Sequence, residues 1–226
     1  MNTMGAEPGC IHIAKDIMTL KFFSDGLKTD GREYDILCDA VQSIKGIHGL
    51  CLEIGTRRAG STKKIIDSLL SNGDLWRSVV CLDPYGNIPY ATEEGKTLRI
   101  DYTNAMRSDT LRNLYKYVHG KPVHVYLLIL EDTEYFKRFP DGYPTYDHEK
   151  RLINDYALVF FDGPHDVQSL TTEIEFFQPR TPVGGVWVFD DIQKYPHDQS
   201  IEIRLFDLGW KLVNKKAPKA SYVKTR

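Results

Sequence analysis

No apolar run in the 226-residue chain approaches the ~20 residues that cross a bilayer, which excludes a membrane-spanning helix. The opening residues, MNTMGAEPGC, lack a basic stretch followed by an apolar one, so no secretory leader is expected. Cysteine is scarce. Cys10, Cys38, Cys51 and Cys81 fall at no metal spacing such as Cys-x-x-Cys, and Cys51 and Cys81 lie in apolar runs where a reduced thiol acts as a small hydrophobe. These absences point to a soluble, cytoplasmic protein. Net charge is nearly absent too. The 29 basic and 31 acidic residues leave −2, which gives no general attraction for nucleic-acid phosphates. Glycine and proline, at 17 and 11, are ordinary, which excludes a fibrous chain. The 42% of apolar residues is enough to offset the entropy of ordering, which excludes disorder. There is no internal repeat and no low-complexity linker, so the length predicts a single domain.

What is present is alternation. Five short runs are continuously apolar: 49–54 (GLCLEI), 79–83 (VVCLD), 123–129 (VHVYLLI), 157–162 (ALVFFD) and 185–190 (GVWVFD). Strands covered on both faces read this way, as in a parallel sheet. Helix-like stretches separate them. Asn104 is the predicted N-cap of one whose apolar face carries Leu111, Leu114, Tyr115 and Val118, with Gly120 and Pro122 as its stop. Residues 61–70 and 166–178 predict two more, and 33–45 a further one near the N-terminus. The final stretch predicts two short strands, WKLV and SYVKT, around a KKAPKA turn. Strand and helix in turn argue for βαβ units with right-handed crossovers.

In an open parallel sheet, ligands bind outside the carboxyl ends of the strands. Glu53-Ile-Gly55, Asp83-Pro-Tyr85, Glu131-Asp132-Thr133, Asp162-Gly163-Pro164-His165 and Asp190-Asp191 follow the five runs, so every strand end carries a carboxylate. Such a gathering is costly unless a cation or a hydroxyl-rich ligand shares the site. The first end, E-I-G-T-R-R-A-G-S-T, is the most specific. Gly55 permits a tight turn, and small Ala59 and Gly60 permit close approach of a ligand. A bare strand-to-helix turn explains the same glycines. The spacing is neither G-x-G-x-x-G nor that of a phosphate-binding loop ending in Gly-Lys-Ser/Thr, which weighs against dinucleotide binding.

The string E-x-G-x-x-x-x-G-S, an acidic end to the second strand, D-G-x-H and then G-G-V-W-V-F-D-D resemble a class I S-adenosylmethionine-dependent methyltransferase. The resemblance is closest to the metal-dependent small-molecule O-methyltransferases of the macrocin O-methyltransferase and cephalosporin-hydroxylase type, and covers residues 50–192. It implies a Rossmann-like, doubly wound, mostly parallel sheet of about seven strands, completed by a C-terminal antiparallel hairpin. It implies that Glu53, Gly55, Thr56 and Gly60 form the loop beneath the methionine part of the cofactor, with Ser61 at the helix N-terminus. Asp83 would accept both ribose hydroxyls, Asp132 would lie beside the adenine, and Asp162 would belong to both cofactor and metal sites. Glu131 stands where relatives often carry glycine, and Pro164 where they often carry an acid.

The metal reading rests on Asp162, Asp190 and Asp191. Three carboxylates from adjacent strand ends can present one face of an octahedral site suited to Mg²⁺ or Mn²⁺. A cap or turn after the strand also explains Asp190-Asp191. His165 is the candidate general base, set against a solvated loop histidine. The aromatics Tyr135, Phe136, Phe139, Tyr143 and Tyr146 predict either a lid over the acceptor or a satellite hydrophobic cluster. The basic stretch 211–226 reads mainly as a lysine-protected sheet edge, and otherwise as a surface that steers anions.

The reading for the whole chain is one methyltransferase domain. It comprises an irregular extension (1–31), a helix (32–48), the cofactor and metal core (49–192), and a C-terminal helix and hairpin (193–226). The expected reaction is methylation of a hydroxyl on a small molecule such as a sugar, polyketide or phenol. No nucleic-acid or membrane partner is expected, and a homo-oligomer is left open. A cofactor-binding protein without catalysis and an NAD-dependent oxidoreductase stand as alternatives.

Overall fold

The computed structural model describes residues 26–91, 97–146 and 149–226. Cys10, Asp147 and most of the extension expected over 1–31 lie outside them. The chain runs α1 (Tyr34–Ser43), β1 (Leu50–Ile54), α2 (Gly60–Ser71), β2 (Ser78–Leu82), β3 (Gly86–Ala91), β4 (Thr97–Tyr102), α3 (Asn104–Val118) and β5 (His124–Leu128). It continues α4 (Asp132–Arg138), β6 (Tyr143–Tyr146), β7 (Lys150–Ile153), β8 (Tyr156–Phe161), α5 (Val167–Phe177), β9 (Val186–Phe189), α6 (Ile201–Asp207), β10 (Trp210–Lys216) and β11 (Lys219–Lys224).

The five apolar runs form the parallel part of a seven-stranded sheet ordered β10-β11-β9-β8-β1-β2-β5. Their unbroken hydrophobicity has a physical cause. Successive side chains point to opposite faces, and both faces are covered. Cys51, Val79, Cys81, Leu158, Phe160 and Val188 join α1 and α2 in one cluster. Their neighbours Leu52, Val80, Leu82, Val159, Phe161 and Phe189 join Tyr135 of α4, Leu170 and Ile174 of α5 and Leu205 of α6 in the other. The sheet order reverses at β1, which lies between β2 and β8. The connections leaving β1 and β8 therefore diverge and open a crevice at their carboxyl ends.

Local sequence explains most element ends, with one correction. Asp166 caps α5, its Oδ1 accepting from the Ser169 amide at 2.8 Å. In α3 the cap is Thr103, whose Oγ1 accepts from Met106 at 3.2 Å; the expected cap, Asn104, is already the first helical residue. Three features were not foreseen: the β3–β4 hairpin, the β6–β7 hairpin and α4. Pro89 in β3 and Pro144 in β6 remove ladder donors and mask the strand pattern, and α4 spans only 7 residues.

Most of the aromatic segment packs inward. Tyr135 is fully buried, its ring 5.0 Å from Phe139 and stacked 6.2 Å from Tyr143, while Phe136 stacks on Phe176 of α5 at 4.2 Å. Tyr135, Phe136, Phe139 and Tyr143 form the hydrophobic cluster, while Tyr146 is exposed. The basic tail also divides. β10 is the sheet edge, but β11 lies inside the sheet between β9 and β10, so Lys219 and Lys224 are not edge residues. No helix among the described residues is long and apolar enough to cross a membrane.

Candidate active site

The crevice is floored by the turn from β1 to α2. Gly55 has φ +89°, and a Cβ there would overlap the Asp162 carbonyl oxygen. Its necessity lies in the contact between the ends of β1 and β8. Gly60 is constrained by packing alone, because a Cβ would overlap the backbone of Lys28 and Thr29. The close approach expected from a ligand is made at these two glycines by the chain itself. Between them, Arg57 and Ala59 hold left-handed backbone, at φ 46° and 56°. Non-glycine residues tolerate this only where the surroundings enforce it. Thr56 ties the loop to β2, its Oγ1 donating to the Leu82 carbonyl at 3.3 Å.

Glu53 lies beneath this loop, fully buried, and accepts from the hydroxyls of Ser61 and Thr62. Burial pushes its carboxyl up to about 7, against the pull of those donors. The native state therefore binds a proton that the unfolded chain releases near its ordinary value of 4.5. The stability this gives is full at acid pH and is lost as pH rises through about 7. Glu53→Gln should match the wild type at pH 5 and exceed it by roughly 3 kcal/mol at pH 8. Denaturant unfolding at the two pH values checks this; a difference independent of pH would contradict it.

Asp83, at the end of β2, is buried. Its Oδ2 accepts from the Arg57 amide at 2.7 Å and its Oδ1 from the Tyr85 amide at 2.9 Å. Burial raises its pKa and these amides oppose the rise. Each oxygen keeps a second lone pair for a further donor. Asp132 opens α4 rather than ending a strand. It lies near Glu173 of α5, a buried carboxyl missed from sequence because it falls on a core-facing helical position; burial, Asp132 and Asp166 push that carboxyl well up.

The ends of β8 and β9 carry the charged centre. The Asp162 carboxyl is pushed well up by burial and by the charges of Asp190 and Glu53. His165 lies beside Asp191, with Nε2 3.1 Å from Oδ2. Burial lowers the His165 pKa and Asp191 opposes that effect. Asp191 holds left-handed backbone at φ 52°, and it also accepts from Lys194. One donor atom each from Asp162, His165 and Asp191 lie within 4.8 Å of one another.

Asp190 stands apart from that trio. Its Oδ1 accepts from the Asp191 amide at 2.7 Å, and its Oδ2 from Lys219 Nζ at 2.7 Å. Lys219 also donates to the Arg32 carbonyl at 2.9 Å and sits 4.1 Å over the Tyr34 ring. Sequence reasoning missed it by placing it in a solvated tail. The signal was the hairpin itself: Ala220 pairs with Phe189, which sets Lys219 against Asp190.

This fold is that of the class I S-adenosylmethionine-dependent methyltransferases, and a family described as "Methyltransferase domain" matches residues 52–192. The chain belongs to that family. The curated proteins give no match. Among solved structures, the O-methyltransferase NovP is 19% identical, with a TM-score of 0.58 over 85% of this chain and 79% of its own. The calicheamicin methyltransferase CalS11 is 15% identical, with a TM-score of 0.53 over 85% and 80%. An O-methyltransferase from Bacillus cereus in complex with SAH is 17% identical, with a TM-score of 0.52 over 88% and 83%. At such identities these likenesses establish the fold.

Proposed function

We propose that the chain is a single-domain, S-adenosylmethionine-dependent O-methyltransferase that acts on a small-molecule hydroxyl with the assistance of a divalent metal. The observation that carries this is the convergence of Asp162, His165 and Asp191 at the strand ends of a methyltransferase fold. The similar structures include a TDP-rhamnose 3'-O-methyltransferase and a putative caffeoyl-CoA O-methyltransferase, which supports a hydroxylated sugar or phenol as acceptor.

In this reading Glu53 and Ser61 brace the loop of Gly55, Thr56 and Gly60 beneath the methionine part of the cofactor. Asp83 takes the ribose hydroxyls on its spare lone pairs, and Asp132 flanks the adenine. Asp162 and Asp191 fit a divalent cation, because they bring a carboxylate oxygen each within 4.8 Å of one another and the negative charge of Asp190 and Glu53 crowds Asp162. Such a cation, when bound, lowers the pKa of a nearby hydroxyl. His165 Nε2 lies 3.1 Å from Asp191 Oδ2, so a proton on Nε2 would face that carboxylate and leave the lone pair on Nδ1. The lowered pKa keeps the ring neutral near pH 7, ready to take the acceptor's proton. S-adenosylmethionine, when bound, would supply the methyl group and take the electron pair of the broken sulfur–carbon bond onto sulfur as the acceptor oxygen bonds to carbon. His165 would hold the acceptor's proton.

Methyl-labelled S-adenosylmethionine incubated with TDP-rhamnose, caffeoyl-CoA and catechol tests this. Label is expected in an ether-linked methyl group, with its appearance dependent on added Mg²⁺ or Mn²⁺. Full transfer by Asp162→Asn and Asp191→Asn variants in the presence of chelator would contradict the metal role.

A further inference from the structure

We infer that Lys219 is a built-in counter-ion that holds Asp190 out of metal coordination, leaving Asp162 and Asp191 as the carboxylates a divalent cation meets. This rests on the metal reading above and departs from the three-carboxylate set that the D-D motif suggests.

Asp190 Oδ1 accepts from the Asp191 amide and Oδ2 from the Lys219 ammonium, each at 2.7 Å, so what opposes a dication there is the fixed positive charge rather than a want of lone pairs. The ammonium is itself fixed three ways, by Asp190, by the Arg32 carbonyl at 2.9 Å and by the Tyr34 ring face at 4.1 Å. The pairing is delivered by strand register rather than by a mobile arm, since Ala220 opposite Phe189 brings Lys219 to the end of β9.

The two lysines at the centre differ in one decisive respect. The Lys194 side chain, on Asp191, is 54% exposed, and the Lys219 side chain, on Asp190, is 0% exposed. Lys194 can leave for water and release Asp191 to a cation at little cost. Lys219 has no such exit. A dication on Asp190 would face a fixed ammonium at close range, and expelling that ammonium would strand a buried charge. The tandem aspartates therefore divide the work. Asp191, turned by its left-handed backbone, faces His165, and Asp190 anchors β11 and the chain entering α1. Lys219 is accordingly a positioning residue.

Titration of the full chain with Mn²⁺, without cofactor or acceptor and read by the loss of the free-ion electron paramagnetic resonance signal, tests this directly. Asp190→Asn, which bares the Lys219 ammonium, is expected to weaken Mn²⁺ by no more than about fivefold, while Asp162→Asn and Asp191→Asn weaken it by about 30-fold or more. Lys219→Met should tighten it by about tenfold, because Asp190 is freed to coordinate. If that variant fails to fold by circular dichroism, Asp190→Asn and the uncharged pair Lys219→Met/Asp190→Asn decide, and the pair should bind like wild type. Asp190→Asn weakening Mn²⁺ as much as Asp191→Asn would overturn the inference. So would unchanged affinity in folded Lys219→Met, or no Mn²⁺ bound by either wild type or that variant. Absence of methyl transfer with the Mn²⁺ pattern intact would defeat the proposed function and leave this inference standing. Metal-dependent transfer with Asp190→Asn weakened would do the reverse.

Discussion

His165→Ala should lower kcat by about two to four orders of magnitude, the usual contribution of a positioned general base. In the proposed mechanism the imidazole is the base of the Asp162, His165 and Asp191 group, with Nε2 3.1 Å from Asp191 Oδ2. The pH dependence should carry its signature. A base works when unprotonated, so activity is lost as pH falls through its folded pKa. Burial holds that value below the ordinary 6.5 in the free protein, which places the acid limb of the kcat/KM profile below pH 6.5. Asp191→Asn removes the charge that opposes the shift, and should move the limb further to acid. A wild-type profile flat from pH 5 to 8, together with a small effect of His165→Ala, would place the base elsewhere.

Gly55→Ala should be the most destabilising small substitution in the crevice, by about 3 kcal/mol or more. Two costs combine. The φ of +89° strains any L-residue, and the new methyl would overlap the carbonyl oxygen of Asp162, a backbone atom that cannot yield without separating β1 from β8. Gly46→Ala separates the two, because Gly46 has φ +82° with nothing within 4 Å of an added Cβ. It should show the conformational cost alone, about 1 kcal/mol. Denaturant midpoints for both variants measure the difference. Equal losses would show that the packing of Gly55 against Asp162 contributes nothing.

The parallel sheet was legible because burial on both faces leaves a signature that any window of the sequence carries, as in VVCLD and ALVFFD. The β3–β4 and β6–β7 hairpins were not, because a proline inside a 6-residue or 4-residue strand looks like an interruption. The positions of the site were legible for the same reason that the strands were: Glu53, Asp83, Asp162, Asp190 and Asp191 fall where apolar runs stop. Their partners were not. Asp190 and Asp191 are adjacent and chemically identical, yet one meets Lys219 and the other His165. That division depends on the register of β11 against β9 and on one left-handed residue, and neither is written in local composition. Gly55 and Gly60 were legible as places of close approach, but not that the chain's own backbone makes the approach.

In the proposed function the strand-end crevice takes an adenosyl sulfonium cofactor, with Asp83 on its ribose. Calorimetric titration with S-adenosylhomocysteine, on wild type and on Asp83→Ala, tests it most directly. One-to-one binding is expected for wild type, with no heat from NAD. Loss of bonds to a buried carboxylate should weaken the variant by about 10- to 100-fold. Binding of NAD in place of S-adenosylhomocysteine, or equal affinity in wild type and Asp83→Ala, would contradict the account.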